Sequence, residues 1–271
     1  MDLADLIRKK LSLFILLIFM VLGQGCSHGN GDDSYLADFP FSTEGRVHPQ
    51  VLEHLRTEWI PSAYFDRGMH YDGSQFRTVA LTELVQRFHP EERWDAVLLN
   101  CHDDYQGIIS IDDILKYDLR LALEMQLASN VQRPAWLNPM VVIVPDSKEA
   151  PPQERFMTAN IRELRFVRLS EYYAPLDTVA LKSMHAHRGG QAFKDNCLFC
   201  HSLKGIGGNK GTNLMEAYDF AKGAEGGPKF KKDFAAFHHK DNADKQDMEQ
   251  FVDIDTLRRI VVFLREVQES S

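Results

Sequence analysis

Two cysteines and a histidine form the part of this 271-residue sequence whose residue types and spacing are best suited to chemistry. Cys197 and Cys200 are separated by two residues, and His201 follows directly. On a short helical turn the two thiols face one side, where each can add to one vinyl group of a porphyrin. His201 then lies under the ring, where a neutral imidazole nitrogen binds the iron. The spacing therefore predicts one covalently attached haem of the c type.

A Cys-x-x-Cys pair has two other common uses. It can be half of a zinc site, but the sequence has no second pair of this kind, so distant histidines would have to complete the site. It can also be a thioredoxin-like redox pair, but that use is expected beside a βαβ unit, and the flanking sequence lacks this pattern. Haem attachment is therefore the favoured interpretation.

The first 26 residues have the composition of an export signal. Basic residues at 8–10 precede an apolar run at 11–22, which is shorter than the ~20 residues that span a bilayer but suits a signal sequence. Small residues and then Cys26 follow and resemble the cleavage site of a bacterial lipoprotein, and residues 27–35 suit a flexible tether. We expect lipidation at Cys26 and a periplasmic, membrane-anchored protein. The alternative is an ordinary signal peptide that is cleaved near Cys26.

Length and charge limit the classes of protein to consider. The 271 residues suggest two modest domains, and the formal net charge of −8 argues against nucleic-acid binding, which needs basic patches. We predict a first domain at residues 36–176, a linker at 174–177 where Pro175 interrupts the pattern, and a second domain at 177–271. The predicted fold class is α+β, with a mixed α/β first domain followed by an all-α second domain.

The first domain alternates helix and strand signals. Apolar periodicity predicts helices at 51–60 and 81–88, and Thr78 is expected to cap the second of them. Continuous or alternating apolar runs predict strands at 96–100, 107–111, 140–144 and 164–169.

The second domain has the pattern of helices around glycine-rich loops. Residues 178–196 are predicted to be helical up to the Cys-x-x-Cys-His motif, and residues 205–211 form a loop with four glycines. Asp255 is expected to cap the last helix, whose apolar residues recur at helical spacing.

Several residues around the motif suit one known family. Gly189 and Phe193 precede the motif, a glycine-rich loop follows it, and Phe263 lies on the last helix. With these features, residues 184–267 resemble a small class I cytochrome c. The resemblance implies that Gly189 lets the last helix cross closely and that a second axial ligand binds the iron. Met248 is the best candidate for that ligand, because an aromatic residue and the last helix follow it as in the ligand loop of the family.

Three other residues stay open as the second axial ligand. Met215 lies near the glycine-rich loop, where packing against its neighbours is its simpler role. His238 or His239 would give bis-histidine ligation and a lower potential than ligation by histidine and methionine. Adjacent histidines beside charged residues are, however, often a solvated surface pair.

The sequence around Cys101 carries a second pattern. Residues 94–105, 108–114, 139–145 and 164–169 together resemble the small sulfite-oxidase-type molybdopterin domain. The resemblance implies that Cys101 stands where one thiolate binds molybdenum in active members, and the alternative is that Cys101 packs in the core. We expect no molybdopterin, because no arginine cluster that could anchor the pterin phosphate lies near Cys101.

These observations lead to one expectation about function and two alternatives. We expect an exported, lipid-anchored monohaem cytochrome that carries electrons between periplasmic redox proteins, and not a self-contained enzyme. The first alternative is a molybdopterin-dependent oxidoreductase with Cys101 as metal ligand and the haem as internal electron acceptor. The second alternative is a subunit of a larger respiratory complex. Lysines of the second domain would either steer an acidic partner or form a solvated surface: Lys204, Lys210, Lys229, Lys231 and Lys232.

Overall fold

A computed structural model of the chain describes residue 52 and residues 55–88, 94–128, 130–221, 224–238 and 252–270. Every described residue belongs to one compact unit, Ser34–Ser271. This unit combines helices with antiparallel sheets, which confirms the predicted mixture of helix and strand. The predicted domain boundary at residues 176 and 177 stays a prediction. We call residues 55–167 the sheet region and residues 169–270 the helical region.

The described part of the sheet region holds two antiparallel sheets. The strands are, in chain order, β1 (Glu58–Pro61), β2 (Gln75–Ala80), β3 (Ala96–Cys101), β4 (Gln106–Ser110), β5 (Arg120–Gln126), β6 (Val141–Ile143) and β7 (Ile161–Val167). One sheet has the order β1-β2-β5-β6 and the other the order β4-β3-β7. The continuous apolar run of β3 lies at the centre of the second sheet, where it is almost completely buried. The strands predicted from the sequence are present, although their ends differ from the predicted ones.

Short helices connect these strands. They are α1 (Ala63–Met69), α2 (Leu81–Phe88) and α3 (Ile111–Tyr117). α2 agrees with the prediction, whereas the sequence pattern did not predict α1 or α3, each of which buries only two side chains. Ser62 and Ser110 cap α1 and α3 by accepting hydrogen bonds from backbone N–H groups of the first turn.

The helical region is organised around the crossing of two helices. Its elements are α4 (Leu169–Asp177), α5 (Met184–Ala192), a π-helical turn (Phe193–Cys197), α6 (Leu214–Ala217), α7 (Gly226–Phe237) and α8 (Ile254–Glu269). A Cβ atom on Gly189 of α5 would lie 2.0 Å from Arg259 O of α8, and one on Gly190 would lie 3.0 Å from the Phe263 ring. The close crossing predicted from Gly189 is therefore present, and it packs the apolar stripe of α8 into the core.

Two predicted segments have a different conformation. Glu58–Pro61 forms β1 and pairs with β2, so the helix predicted at 51–60 is wrong for these residues, where strand pairing overrides local preference. Residues 174–177 form the last turn of α4 and are not an irregular linker. Pro175 lies inside this last turn, where its missing N–H removes one intrahelical hydrogen bond.

Helix starts also differ from their predicted positions. Thr78 lies inside β2 and does not cap α2; its Oγ1 takes part in hydrogen bonds to neighbouring strands. The helix predicted at 178–196 begins after Ser183, whose hydroxyl accepts a hydrogen bond from the first turn of α5. Asp253 and not Asp255 caps α8, because its carboxylate accepts a hydrogen bond of 2.7 Å from a first-turn N–H.

Candidate functional site

The Cys-x-x-Cys-His motif lies on a turn that continues α5. The π-helical turn ends at Cys197, and the backbone N–H groups of Cys200 and His201 both donate to Cys197 O, at 3.1 and 2.8 Å. Cys197 is buried in the core of the helical region. Cys200 and His201 line a cavity, and Cys197 does not line it. The short turn expected from the spacing is therefore present, with two of its three chemical groups on the cavity wall.

His201 has the hydrogen bond that prepares an imidazole to bind a metal. Its Nδ1 lies 2.7 Å from Thr212 O. Because a carbonyl oxygen only accepts, Nδ1 carries the proton and Nε2 keeps its lone pair. Burial lowers the pKa of His201, although the hydrogen bond to Thr212 acts in the opposite direction. The ring is thus held as a neutral imidazole, which is the form that binds iron.

The glycine-rich loop holds this ring in place. Gly211 donates its N–H to Cys200 O at 2.7 Å. A Cβ atom on Gly211 would lie 2.4 Å from both Nδ1 and Cε1 of His201, so only glycine lets the loop lie directly on the imidazole. The loop that the sequence predicted at 205–211 therefore ends in the residue that fixes the orientation of His201.

The cavity beside His201 has a wall that is aromatic in part. Its volume is about 290 Å³, which is close to the lower end of the range for cofactor and ligand sites. Its polar side chains include Cys200, His201 and His238 and two charged residues, Lys210 and Asp233. A neutral imidazole and a thiol of the motif beside aromatic side chains are among the groups that a covalently attached haem needs, so these residues fit this group, although the second thiol, that of Cys197, does not line the cavity. Aromatic side chains form much of the rest of the wall: Tyr105, Tyr218, Phe230, Phe234 and Phe237.

The sheet region supplies one wall of the site and braces the motif. The Tyr105 ring stacks on the ring of Phe199, the second residue between the two cysteines, with centroids 4.9 Å apart. Gln106 N–H donates to Phe199 O at 3.0 Å. Asn209 N–H donates to Asp104 O at 2.8 Å, which ties the glycine-rich loop to the same β3–β4 turn. Nothing in the local sequence pattern connects Tyr105 to a motif almost a hundred residues away, so its role at this site could not be predicted from the sequence.

A buried carboxyl group lies near the motif. Glu154, on the 3₁₀ helix Glu154–Met157, is completely buried, and burial raises its pKa to about 8. Burial raises the pKa of Cys197 to about 12, and the charge of Glu154 acts in the same direction on both Cys197 and Cys200. The sequence analysis missed Glu154, since it is an isolated acidic residue in a connecting segment.

Cys101 lies at the end of β3 in the core of the sheet region. Its side chain is 1% exposed, which confirms the packing expected from its apolar neighbours. Burial is the main cause that raises the pKa of its thiol well above the usual range, and the charge of Asp103 adds to this effect, whereas Arg162 opposes it. Such a thiol is chemically inert. The expected lack of molybdenum at Cys101 stays a prediction.

The remaining residues from the sequence analysis divide into two groups. Cys26, Met248 and His239 lie outside the described residues. Met215 is half-buried, packs against the core of the helical region and does not line the cavity. Among the lysines, Lys210 lines the cavity with its Nζ 5.7 Å from the centre of the Tyr105 ring.

No family model matches the chain, and no curated protein matches its sequence. Within the described ranges, no group of three or more His, Cys, Asp or Glu residues could hold a metal ion. No helix in the part of the chain that the structure describes has the length and apolarity needed to cross a membrane.

Proposed function

We propose that this chain is an exported monohaem c-type cytochrome that transfers electrons. Cys197 and Cys200 would attach the haem, and His201 would be its proximal ligand. The observation that carries this proposal is the His201–Thr212 hydrogen bond of 2.7 Å, which leaves Nε2 as the metal-binding nitrogen beside Cys200 in a partly aromatic cavity. Haem, when bound, would supply the redox change of the iron.

The residues of the chain would hold and shield this group. Thr212 fixes the tautomer of His201 and makes its Nε2 a stronger ligand. Gly211 and the Tyr105–Phe199 stack keep the imidazole and the motif in one arrangement. The aromatic side chains would cover part of the haem, while the cavity is open at the surface. Such a preorganised site needs little rearrangement when an electron arrives or leaves.

Covalent attachment can be tested on a denaturing gel. The full chain, expressed with a c-type haem maturation system, should give a band at the mature mass that stains for haem peroxidase activity. Cys197→Ala combined with Cys200→Ala should lose the stain, whereas Cys101→Ala should keep it. Haem that is extracted from the wild-type protein by acidic acetone would contradict thioether attachment.

The N-terminal segment supports a membrane-anchored location. The proposal rests on the short apolar run at 11–22, on the small residues before Cys26 and on the polar tether that follows. Cys26→Ala should move the protein from the membrane to the soluble periplasmic fraction. Unchanged membrane retention with residues 1–25 still present by mass would show an uncleaved anchor instead. The partners would be periplasmic redox proteins or a respiratory complex.

A further inference from the structure

His238 lines the same cavity as His201. Both rings line it, their centroids are 6.4 Å apart, and their planes are inclined at 74°. The two residues are 37 positions apart in sequence, so only the fold of the helical region brings them together. The cavity therefore presents a second imidazole to the space next to the first.

The distance between the two ring centroids can be compared with the distance expected for two imidazoles that bind one metal ion. A metal–imidazole bond is about 2.0 Å long. The bonds of an imidazole ring have partial double-bond character, with lengths of about 1.33 Å. In a five-membered ring with bonds of this length, each nitrogen lies about 1.1 Å from the ring centre. Two imidazoles that bind opposite sides of one metal ion therefore have centroids about 6.2 to 6.4 Å apart. The observed 6.4 Å agrees with this value, and it also lies within the range of about 4.5–7 Å for ring pairs in edge-to-face contact.

The end of α7 holds His238 in this position. His238 is the residue that follows α7, and its backbone N–H donates to Phe234 O at 2.9 Å. Its ring packs on the Phe234 ring with centroids 4.9 Å apart. Phe234 is itself buried in the core of the helical region. The imidazole is thus attached to a packed helix and not to an extended loop.

We propose that His238 is the second axial ligand of the haem, so that the iron has bis-histidine coordination. This inference rests on the proposed function, because it assigns the second ligand of the same haem. A second imidazole in place of a thioether lowers the reduction potential. Met215, the described methionine considered for this role, does not line the cavity. The chain would then be a low-potential electron carrier.

The test uses the full-length holoprotein and three variants. Wild-type protein should have a low-spin spectrum in both oxidation states, without the weak far-red band that marks a methionine thioether on ferric haem. His238→Ala should give a five-coordinate, high-spin ferrous haem that binds carbon monoxide. His238→Met should gain the far-red band and a higher potential. His187→Ala, which removes an exposed imidazole from α5, is the matched control and should leave the spectrum unchanged.

Several outcomes would overturn the assignment. One is a far-red band in the wild-type protein that Met248→Ala or Met215→Ala removes. Another is a low-spin spectrum that survives His238→Ala and is lost in His239→Ala. The haem stain and the far-UV circular dichroism of each variant show that it is loaded and folded. If the wild-type protein carries no covalent haem, the proposed function itself fails, and this result is distinct from a loaded protein with a different second ligand.

Discussion

Gly189→Ala should destabilise the protein, because Gly189 lies at the closest approach of α5 and α8. An added Cβ atom would lie 2.0 Å from Arg259 O and 2.4 Å from Arg259 C, which are backbone atoms that cannot move alone. The two helices must therefore separate, and a gap of about 0.5 to 1 Å already removes a quarter to a half of the dispersion energy of each affected contact. The buried residues of α8 that face α5, including Ile260 and Phe263, would lose contacts.

The expected size follows from two opposing terms. Overpacking of this kind costs about 1–3 kcal/mol and sometimes more, while alanine in place of glycine gains about 1 kcal/mol of helix propensity. With no flexible side chain to absorb the clash, we expect a net loss on the order of 2 kcal/mol for Gly189→Ala. For a unit of this size that loss lowers the melting temperature by about 4–8 °C.

Gly190→Ala is the matched control one residue further along α5. Its Cβ atom would meet the Phe263 ring at 3.0 Å, and a ring can turn where a backbone carbonyl cannot. The gain in helix propensity should then nearly offset the clash, within about 1 kcal/mol. Thermal unfolding of the holoproteins, followed by far-UV circular dichroism at equal haem content, measures both variants. Equal melting temperatures for Gly189→Ala and wild type would refute the crossing as described.

Glu154→Gln should stabilise the protein increasingly as the pH rises. Burial raises the pKa of Glu154 from 4.5 to about 8. As the pH rises between these two values, Glu154 ionises in the unfolded chain but not in the folded one, so the free energy of unfolding falls. The stability advantage of the variant should therefore grow by about 1.4 kcal/mol per pH unit from about pH 5 to 8 and then level off. Unfolding measured from pH 5 to 9 tests this, with exposed Glu171→Gln as control, and a pH-independent difference would contradict it. Cys101→Ser should cost on the order of 1 kcal/mol or more, from placing a hydroxyl in an apolar site, and should leave the haem spectrum unchanged. Stoichiometric molybdenum in the wild-type protein that is lost in Cys101→Ser would instead favour the oxidoreductase.

Local patterns in the sequence predicted the elements with strong periodicity and missed those defined by long-range contacts. The apolar stripe of α8 and the run at 96–100 are sufficient by themselves to indicate a helix and a buried strand. β1 has no such pattern: its residues are mostly exposed, and they adopt a strand conformation because they pair with β2. The adjacent histidines at 238 and 239 had the composition of a solvated pair, and only the packing of α7 brings His238 to the cavity. Glu154 likewise gains its environment from burial that no local pattern indicates.

The role of the sheet region follows from how Gln106 is bound. Its Oε1 accepts hydrogen bonds from Tyr172 OH at 2.6 Å and from Gly207 N–H at 3.3 Å, while its backbone N–H holds Phe199 O. One residue of β4 therefore joins a sheet, α4, the glycine-rich loop and the Cys-x-x-Cys-His motif. An electron carrier works best when its ligands move little between oxidation states, and a motif held only by its own short turn would be free to shift. The sheet region thus restrains the Cys-x-x-Cys-His motif and would restrain the proposed haem with it, and this contribution does not require a cofactor at Cys101.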